Sequence, residues 1–229
     1  MNRKYIISIE GNIGSGKSTL IKKLQDINTN IDLVFLDEPV DEWVKIKDDE
    51  NNDILSKFYN DQKKYAFPFQ MMAYISRLEK LKTALKTEHN YIFTERSLST
   101  DKYVFAQMLY DGKIMGSCEY QIYNKWFDSF NSDTAITHIV YVKTDPIKCY
   151  DRIATRSRNG ESNIEQEYLN TCHTYHEQMI KTQEQNNIPV LTLDGNRSIF
   201  DKPVLDKWLD DIHNFIKPTS SDTVCNYLT

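Results

Sequence analysis

GNIGSGKS, residues 11–18, matches the pattern GxxxxGK[ST] at every fixed position. It follows the β-branched run YIISIE (5–10) and opens the amphipathic run STLIKKLQDI (18–27), which is the strand–loop–helix context the pattern requires. Gly11, Gly14 and Gly16 let the backbone N–H groups of the stretch, including those of Asn12, Ile13, Ser15 and Thr19, converge on a phosphate at the positive end of a helix. Lys17 is then placed to reach the β and γ phosphates, and Ser18 to offer its hydroxyl to Mg²⁺. A chain with this loop binds ATP or GTP, and the loop sits in an α/β fold.

Outward from the loop, five short apolar runs alternate with longer helical patterns: KYIISIE (4–10), DLVFLDE (32–38), YIFTE (91–95), THIVYVK (137–143) and IPVLTLD (188–194). This alternation predicts a five-stranded parallel sheet flanked by helices, with ligands outside the carboxyl ends of the strands. Each run delivers a polar residue at that end: Glu10, Glu38, Glu95, Lys143 and Asp194. Polar residues also end strands for no reason but solvation.

Composition narrows the class. The 229 residues are 40% apolar and 27% charged, as in an ordinary globular domain. The net charge of −5 and pI near 5.6 disfavour a nucleic-acid surface. No apolar run approaches the roughly 20 residues of a membrane span, and a strand begins by Tyr5, so neither a signal nor a transit peptide is expected. Cys118, Cys149, Cys172 and Cys225 show no CxxC spacing, which points to a reducing, cytoplasmic setting and to neither disulfides nor zinc. A single domain is expected over 1–217, with a loosely held tail over 218–229 and a solvated charged loop, KIKDDENND (45–53). His173 and His176, three apart with no third ligand near, are read as helix-surface residues.

A phosphate loop does not say where the phosphate goes. No NKxD motif is present to read guanine, and YIFTE only partly imitates the acid-terminated apolar strand of motor ATPases. A hydroxyl acceptor needs a carboxylate that takes its proton as the phosphoryl bond forms. In FLDEPVDEW (35–43) two acids close a strand ahead of Pro39, whose fixed φ limits the backbone that follows. Residues 67–85 read as a helix after Pro68, with the apolar stripe Met71, Tyr74, Ile75, Leu78, Leu81, Leu85, and with Gln70, Ala73 and Arg77 on its flank. Ser97 suits a helix N-cap, and Asp101 and Phe105, four apart, share a face of the helix that follows.

Six blocks together resemble the deoxynucleoside kinase family: EGNIGSGKST (10–19), EPVDEW (38–43), FPFQMMAYISR (67–77), TERSLSTDKYVF (94–105), DRIATRSRNGE (151–161) and LTLDGN (191–196). The resemblance spans Ile6 to about Phe215. It implies a P-loop kinase fold with an arginine-rich lid at about 152–164, ATP with Mg²⁺ as donor, and a deoxynucleoside as acceptor. It places the general base on Glu38, with Arg96 pairing Glu38; Asp37, read from its position alone, is a strand-end or helix-capping acid that frames Glu38. Glu95 would join Ser18 at Mg²⁺. Trp43, Phe69, Gln70, Ala73, Arg77, Asp101 and Phe105 would form the nucleoside pocket, Phe69 stacking on the base and Gln70 hydrogen-bonding its edge. Tyr59 and Glu161 would bind the 3′-hydroxyl. Arg152, Arg156 and Arg158 would close on the transferring phosphoryl, and Asp194, Gly195 and Asn196 would touch the adenine.

Members that favour thymidine generally carry smaller or apolar residues at the positions of Arg77 and Asp101. Their retention here implies deoxyadenosine, deoxyguanosine or deoxycytidine. The resemblance also implies a homodimer and feedback inhibition by a deoxynucleoside triphosphate. A thymidylate kinase, a catalytically inactive nucleotide-binding subunit and a regulatory NTPase are the alternative readings. The first would carry Arg-Glu-Pro-Gly where DEPVDEW stands.

Overall fold

The computed structural model describes residues 4–27, 32–131, 133–156 and 164–216. The five apolar runs form the strands β1 (Tyr5–Glu10), β2 (Leu33–Leu36), β3 (Tyr91–Glu95), β4 (His138–Lys143) and β5 (Val190–Asp194). All pairings are parallel, in the order β2-β3-β1-β4-β5, so every carboxyl end lies on one edge. β1 is central because its residues 6–10 are buried on both faces, as a strand covered by helices on two sides must be.

On one face, α1 (Lys17–Ile27) sets Leu20, Ile21 and Leu24 against Ile7, Ile9, Phe93 and Val140 of the sheet. The other face is larger. It carries α2 (Val40–Trp43), α3 (Ile54–Asn60), α4 (Gln62–Leu85), α5 (Leu98–Thr100), which runs into a π-helical segment Asp101–Ala106, then α6 (Gln107–Asp111) and α7 (Ser117–Phe130). After β4 come α8 (Pro146–Arg156) and α9 (Gln166–Gln185), the latter on the larger face. α10 (Lys202–Phe215) returns to the first face through Val204, Trp208 and Ile212.

Two sequence expectations for α4 are corrected. The helix begins at Gln62, capped by Asp61, and Pro68 lies exposed inside it, so the ring gives up one backbone bond without clashing with packed neighbours. Its fully buried face is Phe69, Gln70, Ala73, Tyr74, Ser76, Arg77 and Leu81, whereas Ile75 is 42% exposed. The expected apolar stripe is thus rotated, because the helix turns polar side chains into an internal cavity. The segment carrying Asp101 and Phe105 is likewise π-helical, a wider turn that often marks functional sites. Within 45–53, Asp53 caps α3 by accepting from the Ser56 N–H at 2.8 Å, and Asp48 accepts from the N–H groups of Glu50 and Asn52. That loop is an ordered turn as well as a charged one.

Candidate active site

One cavity of about 580 Å³ opens along the carboxyl ends of the strands, within the size range of small-molecule sites. At one end lies the phosphate loop. Gly11 (φ 145°), Gly14 (φ 77°) and Gly16 (φ 103°) all take left-handed or related backbone. A Cβ on Gly14 would meet the Cys149 carbonyl oxygen at 2.5 Å, so the loop there is pressed onto α8. Asn12 anchors it to α9, donating to the Leu169 carbonyl at 2.8 Å. Ile13, Ser15, Gly16 and Thr19 line the cavity, while Gly11 and Asn12 lie beneath it.

Lys17 is 4% exposed and donates to the Asn12 carbonyl at 2.7 Å. Burial, with Arg96 adding to it, lowers its pKa to about 7, so an arriving polyphosphate would restore full charge to a partly discharged ammonium. Ser18 donates from Oγ to Oε1 of Glu95 at 2.7 Å. Two oxygens from different elements therefore converge beside the loop, a set that suits Mg²⁺, which takes one or two protein oxygens and fills the rest with phosphates and water. Among the described residues no cluster of three His, Cys, Asp or Glu side chains could hold a metal without such help.

The cavity turns on Glu38. Its Oε1 accepts from Arg96 Nη1 at 2.5 Å and from Arg77 Nη2 at 3.4 Å. Burial opposes ionisation of Glu38, but Arg96, Arg77 and Lys17 together outweigh it and hold the pKa down to about 2. Arg77 joins three groups: Nε donates to Asp101 at 2.9 Å, Nη1 to the Glu95 carbonyl, and Nη2 to Glu38. Burial raises Asp101 to about 6 against the pull of Arg77. Asp37 is exposed, and α2 starts from Pro39 with no side-chain cap, so Asp37 does not cap it.

Beyond Glu38 the wall is aromatic. Phe69 stacks on Phe58 at 4.7 Å and meets Trp43 edge-on at 5.3 Å, and Trp43 donates from Nε1 to Ser76 Oγ at 2.9 Å. Tyr59, Gln70, Ala73 and Phe105 complete this end, with the Arg96 guanidinium 5.3 Å from the centre of the Phe105 ring. Gln70 is 2% exposed, and its Oε1 finds no protein partner. A buried amide oxygen turned into a cavity is a waiting acceptor.

At the mouth, Arg152 donates to the carbonyls of Ser15 (3.1 Å) and Gly195 (2.9 Å), so it ties the phosphate loop to the β5 loop. Arg156, one turn on, lines the cavity and is exposed. Arg158 and Glu161 lie outside the described residues. Gly195 lines the cavity, and a Cβ there would collide with Thr144 Oγ1 and come within 2.9 Å of the Lys143 carbonyl, so the loop packs tightly against the end of β4. Asp194 and Asn196 shape this loop from behind, Asn196 accepting from the Asp145 N–H at 2.9 Å and Asp194 accepting from the Asn196 N–H at 3.1 Å.

The family model described as deoxynucleoside kinase matches residues 7–217. The chain belongs to the deoxynucleoside kinase family. As a member of that family it is an enzyme that phosphorylates deoxynucleosides with ATP. It is 36% identical over 85% of its length to a fowlpox virus (strain NVSL) protein with a provisional deoxycytidine kinase name, covering 80% of that protein. It is 33% identical to the deoxycytidine kinase of Homo sapiens, covering 86% of this chain and 85% of the relative. With the mitochondrial deoxyguanosine kinase of Xenopus laevis it shares 30% identity over 82% and 80% of the two lengths.

The deoxynucleoside kinase cavity also has walls that sequence reasoning missed. Tyr168 and Phe58 also line it, as do Arg197, the buried Ile199 and the 79% exposed Phe200. For Arg197, Ile199 and Phe200 the available signal was position, RSIF (197–200) following directly on LTLDGN (191–196). His176 corrects a further expectation. It is fully buried, its Nδ1 2.8 Å from the Cys172 carbonyl and its ring edge-on to Phe105 at 6.2 Å. Burial and the nearby Arg96 lower its pKa to about 3, so it is a neutral packing residue behind the site. His173 stays half-buried on the same helix.

Proposed function

We propose that this kinase carries the γ-phosphoryl group of ATP to the 5′-hydroxyl of a deoxynucleoside, with Glu38 as general base, in nucleotide salvage. The observation that carries this reading is that one cavity is lined by Lys17 and the phosphate loop, by Glu38, and by the Gln70, Arg77 and Asp101 set suited to a base, with Glu38 joined to that set through Arg77 at 3.4 Å. Glu38 is held ionised by Arg96, Arg77 and Lys17, and it lines the cavity that a hydroxyl would enter. Arg96 holds it in line and supplies positive charge to the phosphoryl oxygens as they approach. Ser18 and Glu95 would hold Mg²⁺, which would supply positive charge to the donor's phosphates. Arg156 and Arg158 would close over the transferring group, while Arg152 fixes the loop geometry they close upon. Tyr59 and Glu161 would take the 3′-hydroxyl, and the Asp194–Asn196 loop the adenine.

The base preference we propose is deoxycytidine, deoxyadenosine or deoxyguanosine over thymidine. The buried Arg77–Asp101 pair in the cavity wall supports this preference, since charged groups would leave little apolar room for the 5-methyl group of thymine. Gln70 supplies an acceptor and a donor to a base edge. The names of the relatives agree. In a panel of the four natural deoxynucleosides with ATP, thymidine is expected to show kcat/KM at least about tenfold below the best substrate. Thymidine with the highest value would overturn the preference and leave the reaction standing.

The reading extends to a homodimer, supported by exposed Ile75 on α4 and exposed Ile122, Trp126 and Phe130 on α7, two helices that pack together through Tyr74 and Phe127. Feedback inhibition by a deoxynucleoside triphosphate would follow from phosphates occupying the donor loop. A cytoplasmic setting is supported by Cys118, Cys149 and Cys172, all free thiols. Among the described residues no helix is long and apolar enough to cross a membrane.

A further inference from the structure

Glu10 takes no part in the chemistry above, yet its carboxylate is wholly enclosed at the end of β1. Burying a carboxylate is costly unless its oxygens are satisfied. Here three hydroxyls donate to it: Ser8 to Oε1 at 2.5 Å, Ser97 to the same oxygen at 2.7 Å, and Thr100 to Oε2 at 2.5 Å. Ser97 and Thr100 belong to the turn and short helix that begin directly after Arg96.

Arg96 itself is held in an unusual backbone state. Its φ of 62° is left-handed, a region that residues with long side chains seldom occupy and that persists only where the surroundings fix it. The Arg96 N–H donates to the Ile9 carbonyl at 3.0 Å, and its carbonyl accepts from the Thr94 hydroxyl. The last two residues of β1 therefore grip the turn on both sides of Arg96, Ile9 through its backbone and Glu10 through its side chain. The Glu10 charge also favours the Arg96 cation, after Glu38 and Glu95 and against the effect of burial.

We propose that Glu10 is a positioning residue for Arg96: its hydroxyl-bonded carboxylate locks the Ser97–Thr100 turn that keeps the guanidinium on Glu38. The inference rests on the reading of Glu38 and Arg96 given above, which the Glu38→Gln variant tests separately. Glu10→Gln keeps the shape but removes the charge and one acceptor oxygen. It is expected to lower kcat for deoxynucleoside phosphorylation about 10- to 100-fold, the effect of a small misplacement of a reacting group, with KM for ATP and cooperative thermal unfolding retained. In an Arg96→Lys background the same substitution is expected to change kcat by less than about twofold, because the group it positions is gone. Thr100→Val, which removes one of the three donors, is read in the same two backgrounds should Glu10→Gln fail to fold. An unchanged kcat on Arg96-containing enzyme would overturn the proposal, and so would an equal loss in both backgrounds.

Discussion

Glu38→Gln is expected to lower kcat by about 10²- to 10⁴-fold, the usual contribution of a positioned general base, in a protein that still folds and binds ATP. Glutamine preserves the volume and an oxygen for Arg96, 2.5 Å from Glu38 in the native site, but it cannot take the proton of a 5′-hydroxyl. The same substitution changes the acid response. Burial raises the Glu38 pKa, yet Arg96, Arg77 and Lys17 overcome it and set the value at about 2, below the ordinary 4.5. A depressed folded-state pKa contributes stability above pH 4.5 that is lost as pH falls through about 2, on the order of 3 kcal/mol in all and about 2 kcal/mol by pH 3. Asp101 runs the other way. Its pKa, raised to about 6 by burial, gives a contribution present below 3.8 and lost as pH rises through 6. Urea unfolding of wild type and Glu38→Gln between pH 6 and pH 3 reads the first contribution together with a smaller change at Asp101, whose pKa the Glu38 charge also raises. A variant with kcat within about twofold of wild type would remove Glu38 from the chemistry.

Arg96→Met is expected to cost about 3–5 kcal/mol of stability, because it takes the nearest cation from a buried carboxylate. For a chain of this length that corresponds to a fall in Tm of roughly 6–20 °C. Arg96 is 4% exposed, and its partner Glu38 keeps only the longer contact with Arg77 at 3.4 Å once it is gone. Methionine occupies similar space, so the loss reports charge more than packing. The double variant Glu38→Gln/Arg96→Met is expected to be less destabilised than the sum of the singles, since neither charge is then left alone. Thermal or urea unfolding of the three variants reads this directly. Additive losses would mean that the pair is not energetically coupled.

The strands β1, β3 and β4 were legible because a strand buried on both faces shows itself as an uninterrupted apolar run, and the partly buried edge strands β2 and β5 were legible from their own short apolar runs. The phosphate loop was legible because its geometry demands fixed residue types. The cavity wall was harder to read. An apolar stripe marks the face of a helix that meets a core, but the buried face of α4 meets a cavity and carries Gln70 and Arg77, so the stripe rule chose Ile75 and left out Arg77. Pro68 misled for another reason: read as the start of a helix, it stands inside α4 and forgoes one backbone bond there. Glu10 looked like any strand-ending acid; only the convergence of Ser8, Ser97 and Thr100, separated by up to 92 positions in the chain, distinguishes it. His176 shows the reverse error, a polar residue assigned to the surface that packs neutral beside Phe105.

The most direct measurement is identification of the product formed from ATP and each natural deoxynucleoside, with the corresponding monophosphates and a no-acceptor reaction alongside. The result expected is one 5′-monophosphate and one ADP per nucleoside consumed, with deoxycytidine, deoxyadenosine or deoxyguanosine leading, and loss of that product in Glu38→Gln. Consumption of a monophosphate but not of nucleosides, or ADP release without a phosphorylated acceptor, would contradict it.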